Sequence, residues 1–243
     1  MSWEPRTYRD RVDAAGLVGF QVAQAQTDLH VSAVRDLSAE TSALVSGARA
    51  ALETYIAAHP HFAESFVPVE VEPHAPPIVR AMATAGAAAG VGPMAAVAGA
   101  VAEHVARGLA AVSRDVIVEN GGDLYLVGEA PRTVMLVAGD SPLSGTVGIA
   151  LRSVDLPVAV CTSSGRVGHS VSLGSAHAAT VVATDGALAD AVATATGNRV
   201  HGAGDIESAL AFACAVEGVR GAVVIVGDRI GAQGAVRLAP IRA

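Results

Sequence analysis

The stretch Ala81–Ala102 contains no charged side chain. Its length suits a membrane span, which takes about 20 apolar residues. Its chemistry does not. Ala and Gly gain little from hydrocarbon, and Gly90-Val91-Gly92-Pro93 interrupts any single helix. The alternative is two helices packed so closely that only small side chains fit between them. The pattern predicts one helix from about Pro77 to Ala89. A second runs from Met94 to about Val112, with Pro93 in its first turn. Such helices need a core to pack on. A chain of 243 residues, 51% hydrophobic and 16% charged, belongs to the globular class and is long enough to build one.

Charge and cysteine usage exclude several functions. The net charge is −7, without a long run of one sign, and aromatics make up 3% of the chain. Nucleic acid and acidic membrane surfaces are therefore not expected as partners. All 16 basic residues are Arg. A Schiff-base lysine, a P-loop lysine and a Ser-x-x-Lys nucleophile are thus impossible. Cys161 and Cys214 lack C-x-x-C spacing, which suggests a reducing compartment without disulfides. The N-terminal MSWEPRTYRDR is charged and has no signal-peptide core. A cytoplasmic location is expected.

Apolar alternation predicts strands over Leu17–Ala23 and Thr27–Val34. Ser38 is placed as the cap of a helix running to about His59, ended by Pro60. Phe66–Pro77 reads as a connector or edge strand. Strands are expected over Asp115–Glu119, Leu124–Val127, Thr133–Val137, Val147–Leu151, Val158–Thr162 and Ala178–Ala183. A helix follows with Asp185 as cap and Gly197 as stop, then one capped by Asp205 and ending near Gly218. Ala222–Val226 reads as a strand, Asp228–Gly231 as a turn and Ala235–Leu238 as a last strand. Hairpin-like strand pairs with separate helices give an α+β fold, with mixed, largely antiparallel sheets and packed Ala/Gly-rich helices. A single domain over 1–243 is expected, or two intertwined α/β lobes with a cleft between them.

Four segments carry candidate chemistry. Gly90-Val91-Gly92-Pro93-Met94-Ala95 fits G-x-G-x-x-A, but a helix-like segment precedes it, which argues against a dinucleotide-binding strand. What survives is a helix whose free amides could face an anion, or a plain helix–helix turn. In Val118-Glu119-Asn120-Gly121-Gly122-Asp123, two glycines allow a ligand to approach the backbone, although a hairpin alone also explains them. In Thr162-Ser163-Ser164-Gly165-Arg166, continuing to His169, hydroxyls, glycines and a guanidinium suit an anion. Asp190 and Thr194, four residues apart on one helix, can converge on one point. A carboxylate with a hydroxyl is hard-oxygen ligation, suited to Mg²⁺ holding a phosphate. The ordinary alternative is an Asp near a positive helix end with a Thr bonded to its own backbone. The remaining histidines show no zinc spacing.

Taken in order, Pro93–Leu109, Val118–Gly128, Thr162–Gly174 and Ala179–Ala195 resemble the ApbE-like superfamily. The match is closest to its less-characterised bacterial and archaeal branch. The known enzymes are FAD:protein FMN transferases. The resemblance implies the ApbE-like fold and a Mg²⁺ held by Asp190, Thr194 and the Ala96 carbonyl. It places His169 and Asp190 in catalysis. Asn120, Gly121, Gly122, Asp123, Thr162, Ser163, Ser164, Gly165 and Arg166 would lie at the FAD or other nucleotide. It departs from the family at Gly99, where a lysine is expected, and at Ser172, where an aspartate is expected. It implies an FMN-transferase-like enzyme acting on a pyrophosphate, with a small-molecule nucleotide or flavin and an acceptor protein as partners. Two alternatives stay open: a non-catalytic flavin- or nucleotide-binding protein, and an enzyme of another phosphorylated or pterin-like substrate. The Ala/Gly-rich helices leave a homo-oligomer open as well.

Overall fold

In the computed structural model, which describes Arg9, Ala14, residues 16–164 and residues 174–241, the two alternating N-terminal segments pair as a hairpin. They are β1 (Val18–Gln24) and β2 (Thr27–Ala33). The chain then forms α1 (Ser38–Ala58) and a single turn α2 (His61–Glu64). Ser38 opens α1 rather than capping it. Asp36 Oδ1 takes the Ser38 amide at 2.8 Å, and Leu37 occupies the cap position. Phe66–Pro77 contributes no strand; its prolines lead straight into α3 (Pro77–Ala89).

Gly90 ends α3 in the left-handed conformation, at φ 73°. Pro93–Ala96 is a 3₁₀ turn, and α4 (Val97–Leu109) follows. The expected helix from Met94 therefore starts later, because Ala96 breaks the helical backbone at φ −112°. α3 and the Pro93–Leu109 unit bend by 104°, and among the described residues no single helix is long and apolar enough to cross a membrane. Both helices instead pack against α5 (Gly186–Gly197) and α1.

β3 (Val116–Asn120), β4 (Asp123–Val127), β7 (Val158–Ser163), β8 (Ala178–Ala183), β9 (Val219–Val226) and β10 (Arg229–Gly234) extend the hairpin into one sheet. Its order is β1-β2-β3-β4-β7-β8-β9-β10. β5 (Arg132–Met135), β6 (Val147–Leu151) and β11 (Leu238–Pro240) form a second sheet in the order β11-β6-β5. Every described pairing is antiparallel. The fold is α+β. α6 (Ile206–Ala215) packs on β9 and β10. Asp205 does not cap it, because its carboxylate is spent on the His201 and Gly202 amides. The expected turn at Asp228–Gly231 is largely strand: Gly227, at φ 60°, turns the chain earlier.

Two apolar cores result. One lies between the large sheet and the helices and takes in Val118, Tyr125, Cys161 and most of α5. The other lies between the two sheets and takes in Leu126, Val134, Ile149 and Val160. Alternation along each strand sends neighbouring residues to different cores.

Candidate functional site

α5 begins where the sequence expects. Asp185 accepts the Leu188 amide at 2.7 Å. Its small residues then let its backbone touch that of α4. A Cβ built on Gly99 would fall on the Gly186 carbonyl oxygen, and one built on Gly186 would fall on the Gly99 carbonyl oxygen. The position where the family resemblance expects a lysine is therefore closed to any side chain.

At this crossing each helix gives the other a carboxylate. Asp190 Oδ2 accepts the Gly99 amide at 2.9 Å, and the same carboxylate takes the Ala98 amide. Glu103 Oε2 accepts the Gly186 amide at 2.6 Å. The first amides of a helix lack internal partners and carry partial positive charge, so a carboxylate satisfies both needs. The α4 amides that the sequence offered to an external anion are thus answered by Asp190. The back-bonded hydroxyl on α5 is that of Thr196, donating to the Val192 carbonyl at 2.6 Å. Thr194 lies one turn beyond Asp190 and is half-buried. Ala96 is fully buried in the 3₁₀ turn against α5.

Asp123 faces the same core from the start of β4. It is 7% exposed and Asp190 9%. Asp123 accepts the Thr162 amide at 3.1 Å and lies beside the Cys161 thiol. Burial, then the charge of Asp190, pushes the Asp123 carboxyl well above the usual carboxylate range. Burial pushes Asp190 up to about 7, against the pull of its two amides. Among the described residues neither carboxylate has an Arg or His partner. Burial and the two acids also push Cys161 up, which keeps the thiol protonated and poorly nucleophilic. Asn120 joins this face, its amide donating to the Ala98 carbonyl at 3.1 Å. The Ser163 hydroxyl, buried near Gly197, has no partner among the described residues.

The described residues contain no cluster of three or more His, Cys, Asp and Glu side chains able to hold a metal. The donors near Asp190 are carboxylate, hydroxyl and carbonyl oxygens. That set fits Mg²⁺, which fills its shell with water and phosphate oxygens, better than Zn²⁺. Two buried acids with no Arg or His partner among the described residues are the observation that fits a cation.

The other predicted residues go elsewhere. Gly121, at φ 69°, and Gly122, at φ 106°, make the two-residue turn between β3 and β4. With Thr162 and Ser164 they border a cavity of about 210 Å³ between the two sheets. The sequence-predicted set therefore divides. Asn120, Asp123 and Ser163 share the helix side with Asp190, while Gly121, Gly122, Thr162 and Ser164 line the cavity. Gly165, Arg166 and His169 lie outside the described residues.

Sequence reasoning missed several groups. Arg9 donates from Nε to Glu119 Oε2 at 2.6 Å and from Nη1 to Asp28 at 3.0 Å. Glu119 Oε1 in turn takes the Gly122 amide at 2.7 Å, fixing the turn. His30 sits opposite Glu119 in the ladder and borders the cavity. Glu103 had one signal: it is the charge that ends the uncharged run. Arg9 and His30 had none, since each acts through a distant strand.

The family model described as AbpE bacteria matches residues 9–237. The chain belongs to this family. Relatives of the chain include the UPF0280 protein MJ1526 of Methanocaldococcus jannaschii, 45% identical over 76% of this chain and 78% of the relative. The UPF0280 protein of Methanosarcina acetivorans is 42% identical over 77% of this chain and 75% of the relative. Several solved structures share the fold. The flavinyl transferase ApbE of Pseudomonas stutzeri, apo form, superposes with a TM-score of 0.56 at 16% identity, covering 92% of this chain and 96% of that one. The flavin transferase ApbE of Vibrio cholerae gives 0.56 at 13% identity, covering 90% and 96%. The membership extends the sequence resemblance over nearly the whole chain.

Proposed function

We propose that this chain is a Mg²⁺-dependent, FMN-transferase-like enzyme acting on the pyrophosphate of FAD or a related nucleotide. The observation that carries the reading is the Asp123–Asp190 pair, two buried acids with no basic partner among the described residues. Buried charge costs several kcal/mol unless compensated, and a divalent cation compensates it. The names of the structural neighbours, flavin and flavinyl transferases, supply the reaction class. Asp190, Thr194 and the Ala96 carbonyl would hold the ion, which neutralises phosphate charge when bound. The Gly99 amide, at 2.9 Å, holds the Asp190 carboxylate at the start of α4. An acceptor hydroxyl would attack the phosphorus of the FMN half, the P–O–P bond would break, and AMP would leave. His169 is the proposed group for moving the hydroxyl proton.

The test is release of AMP from FAD by purified protein with Mg²⁺ and hydroxyl-bearing acceptor peptides. Wild type should release it and Asp190→Ala should not. Absence of AMP above background with every acceptor would remove the reading. The closed Gly99 position favours a second reading, a flavin- or nucleotide-binding protein without turnover. It predicts Mg²⁺-dependent binding with no AMP, and flat titrations against FAD, FMN and ATP would exclude it.

A further inference from the structure

A buried cation stands behind the β3–β4 turn. The Arg9 side chain is 7% exposed and bridges two strands. Its Nη1 donates to Asp28 Oδ2 at 3.0 Å and its Nη2 to the Asp28 carbonyl at 2.9 Å, which anchors the guanidinium on β2. Its Nε donates to Glu119 Oε2 on β3 at 2.6 Å. The other oxygen of Glu119 takes the Gly122 amide at 2.7 Å. A buried ion pair often fails to repay its desolvation, so stability is a weak reason for this one. A turn of two glycines gives a better reason. Without Cβ atoms, Gly121 and Gly122 have several accessible backbone forms, and no side chain of their own imposes the positive φ values they adopt. The Glu119 carboxylate selects one form, and Arg9 fixes the carboxylate. His30, opposite Glu119 in the ladder, is the competing partner. Burial, and then Arg9, lower the His30 pKa. The imidazole is therefore neutral, and Glu119 stays with Arg9.

We propose that Arg9 is a positioning residue for the nucleotide site, acting through Glu119 to hold the Gly121–Gly122 turn in the one backbone form that receives the ligand. The inference rests on the pyrophosphate reading for what the turn receives. The relay from Arg9 to Glu119 to Gly122 is complete without a ligand. Arg9 itself touches only protein groups. A preset turn removes an ordering cost from binding, so the relay strengthens ligand binding rather than the chemical step.

The test compares the full chain as wild type, Arg9→Met and Arg9→Lys. Amide hydrogen exchange is followed by NMR in EDTA without ligand. The Gly122 amide should exchange about tenfold faster in Arg9→Met, while the amides of β8, inside the large sheet, keep their wild-type rates. The His30 imidazole should titrate at a higher pH than in wild type, because Glu119 then faces it without Arg9. With Mg²⁺ and acceptor peptide, KM for FAD should rise about tenfold and kcat should stay within about twofold. Arg9→Lys keeps the charge but has no fork to span Asp28 and Glu119 together, so it should show the same pattern more weakly. It carries the test if Arg9→Met does not fold. Unchanged Gly122 exchange in a folded variant would overturn the relay. Equal acceleration of the Gly122 and β8 amides would reduce Arg9 to a structural role and overturn the proposal, as would a faster Gly122 amide with unchanged KM. If wild type binds FAD without releasing AMP, the transferase reading fails and the FAD dissociation constant, measured by calorimetry, replaces KM. Binding about tenfold weaker in Arg9→Met then supports the inference, and equal binding overturns it.

Discussion

Asp190→Asn separates the charge of this residue from its hydrogen bonds. The carboxamide oxygen can still accept the Gly99 amide that Asp190 takes at 2.9 Å. What disappears is an acid whose folded pKa is raised from 3.8 to about 7 by burial. An acid with a raised folded pKa binds its proton more tightly folded than unfolded. Its stabilising contribution is full below pH 3.8 and is lost as pH rises through about 7. The whole loss corresponds to about 4 kcal/mol, of which about 2 to 3 kcal/mol falls between pH 5 and pH 8. Urea denaturation in EDTA at both pH values measures it. Wild type should lose stability on going to pH 8, and Asp190→Asn should lose about 2 to 3 kcal/mol less. Asp123, also raised, leaves the variant some residual slope. Parallel pH dependences in the two proteins would refute the assignment of a buried, uncompensated acid at Asp190.

At pH 8, Mg²⁺ should raise the wild-type melting temperature in a concentration-dependent way and leave Asp190→Asn unmoved; equal shifts would place any bound ion elsewhere. Gly99→Ala puts a methyl group on the Gly186 carbonyl and should cost about 1–3 kcal/mol in urea midpoints by forcing α4 and α5 apart. Glu103→Ala strands the Gly186 amide and should cost about 1–2 kcal/mol, measured the same way. Glu119→Ala leaves Arg9 with Asp28 alone and frees the Gly122 amide. It should cost about 3–5 kcal/mol, and a loss below 1 kcal/mol would show that the Arg9 pair is not compensated in the way described.

By itself the sequence determined the local structure around the site. Asp185 caps α5 because a short acidic side chain can reach the third amide. Gly121 and Gly122 form the β3–β4 turn because only residues tolerant of positive φ fit it. The glycine break after Ala89 predicted two bent helices rather than one span, since Gly90 can adopt the left-handed conformation and Pro93 starts a new helix. The order of the matching motifs pointed to the right superfamily, because those segments keep their relative order along the chain.

Tertiary structure decided where the side chains went. Successive residues of a strand point to opposite faces, so Glu119 and Asn120, or Thr162 and Ser163, had to separate. The sequence could state that alternation but not which face met α5 and which met the second sheet. Only the packing of the two sheets made the cavity and brought His30 beside it. Likewise, spacing placed Asp190 and Thr194 on one helix, but only the Gly99–Gly186 contact set the Asp190 carboxylate against the start of α4. A local pattern fixes φ, ψ and periodicity. The partner of a buried carboxylate lies 91 residues away in the chain, and no local pattern encodes that distance.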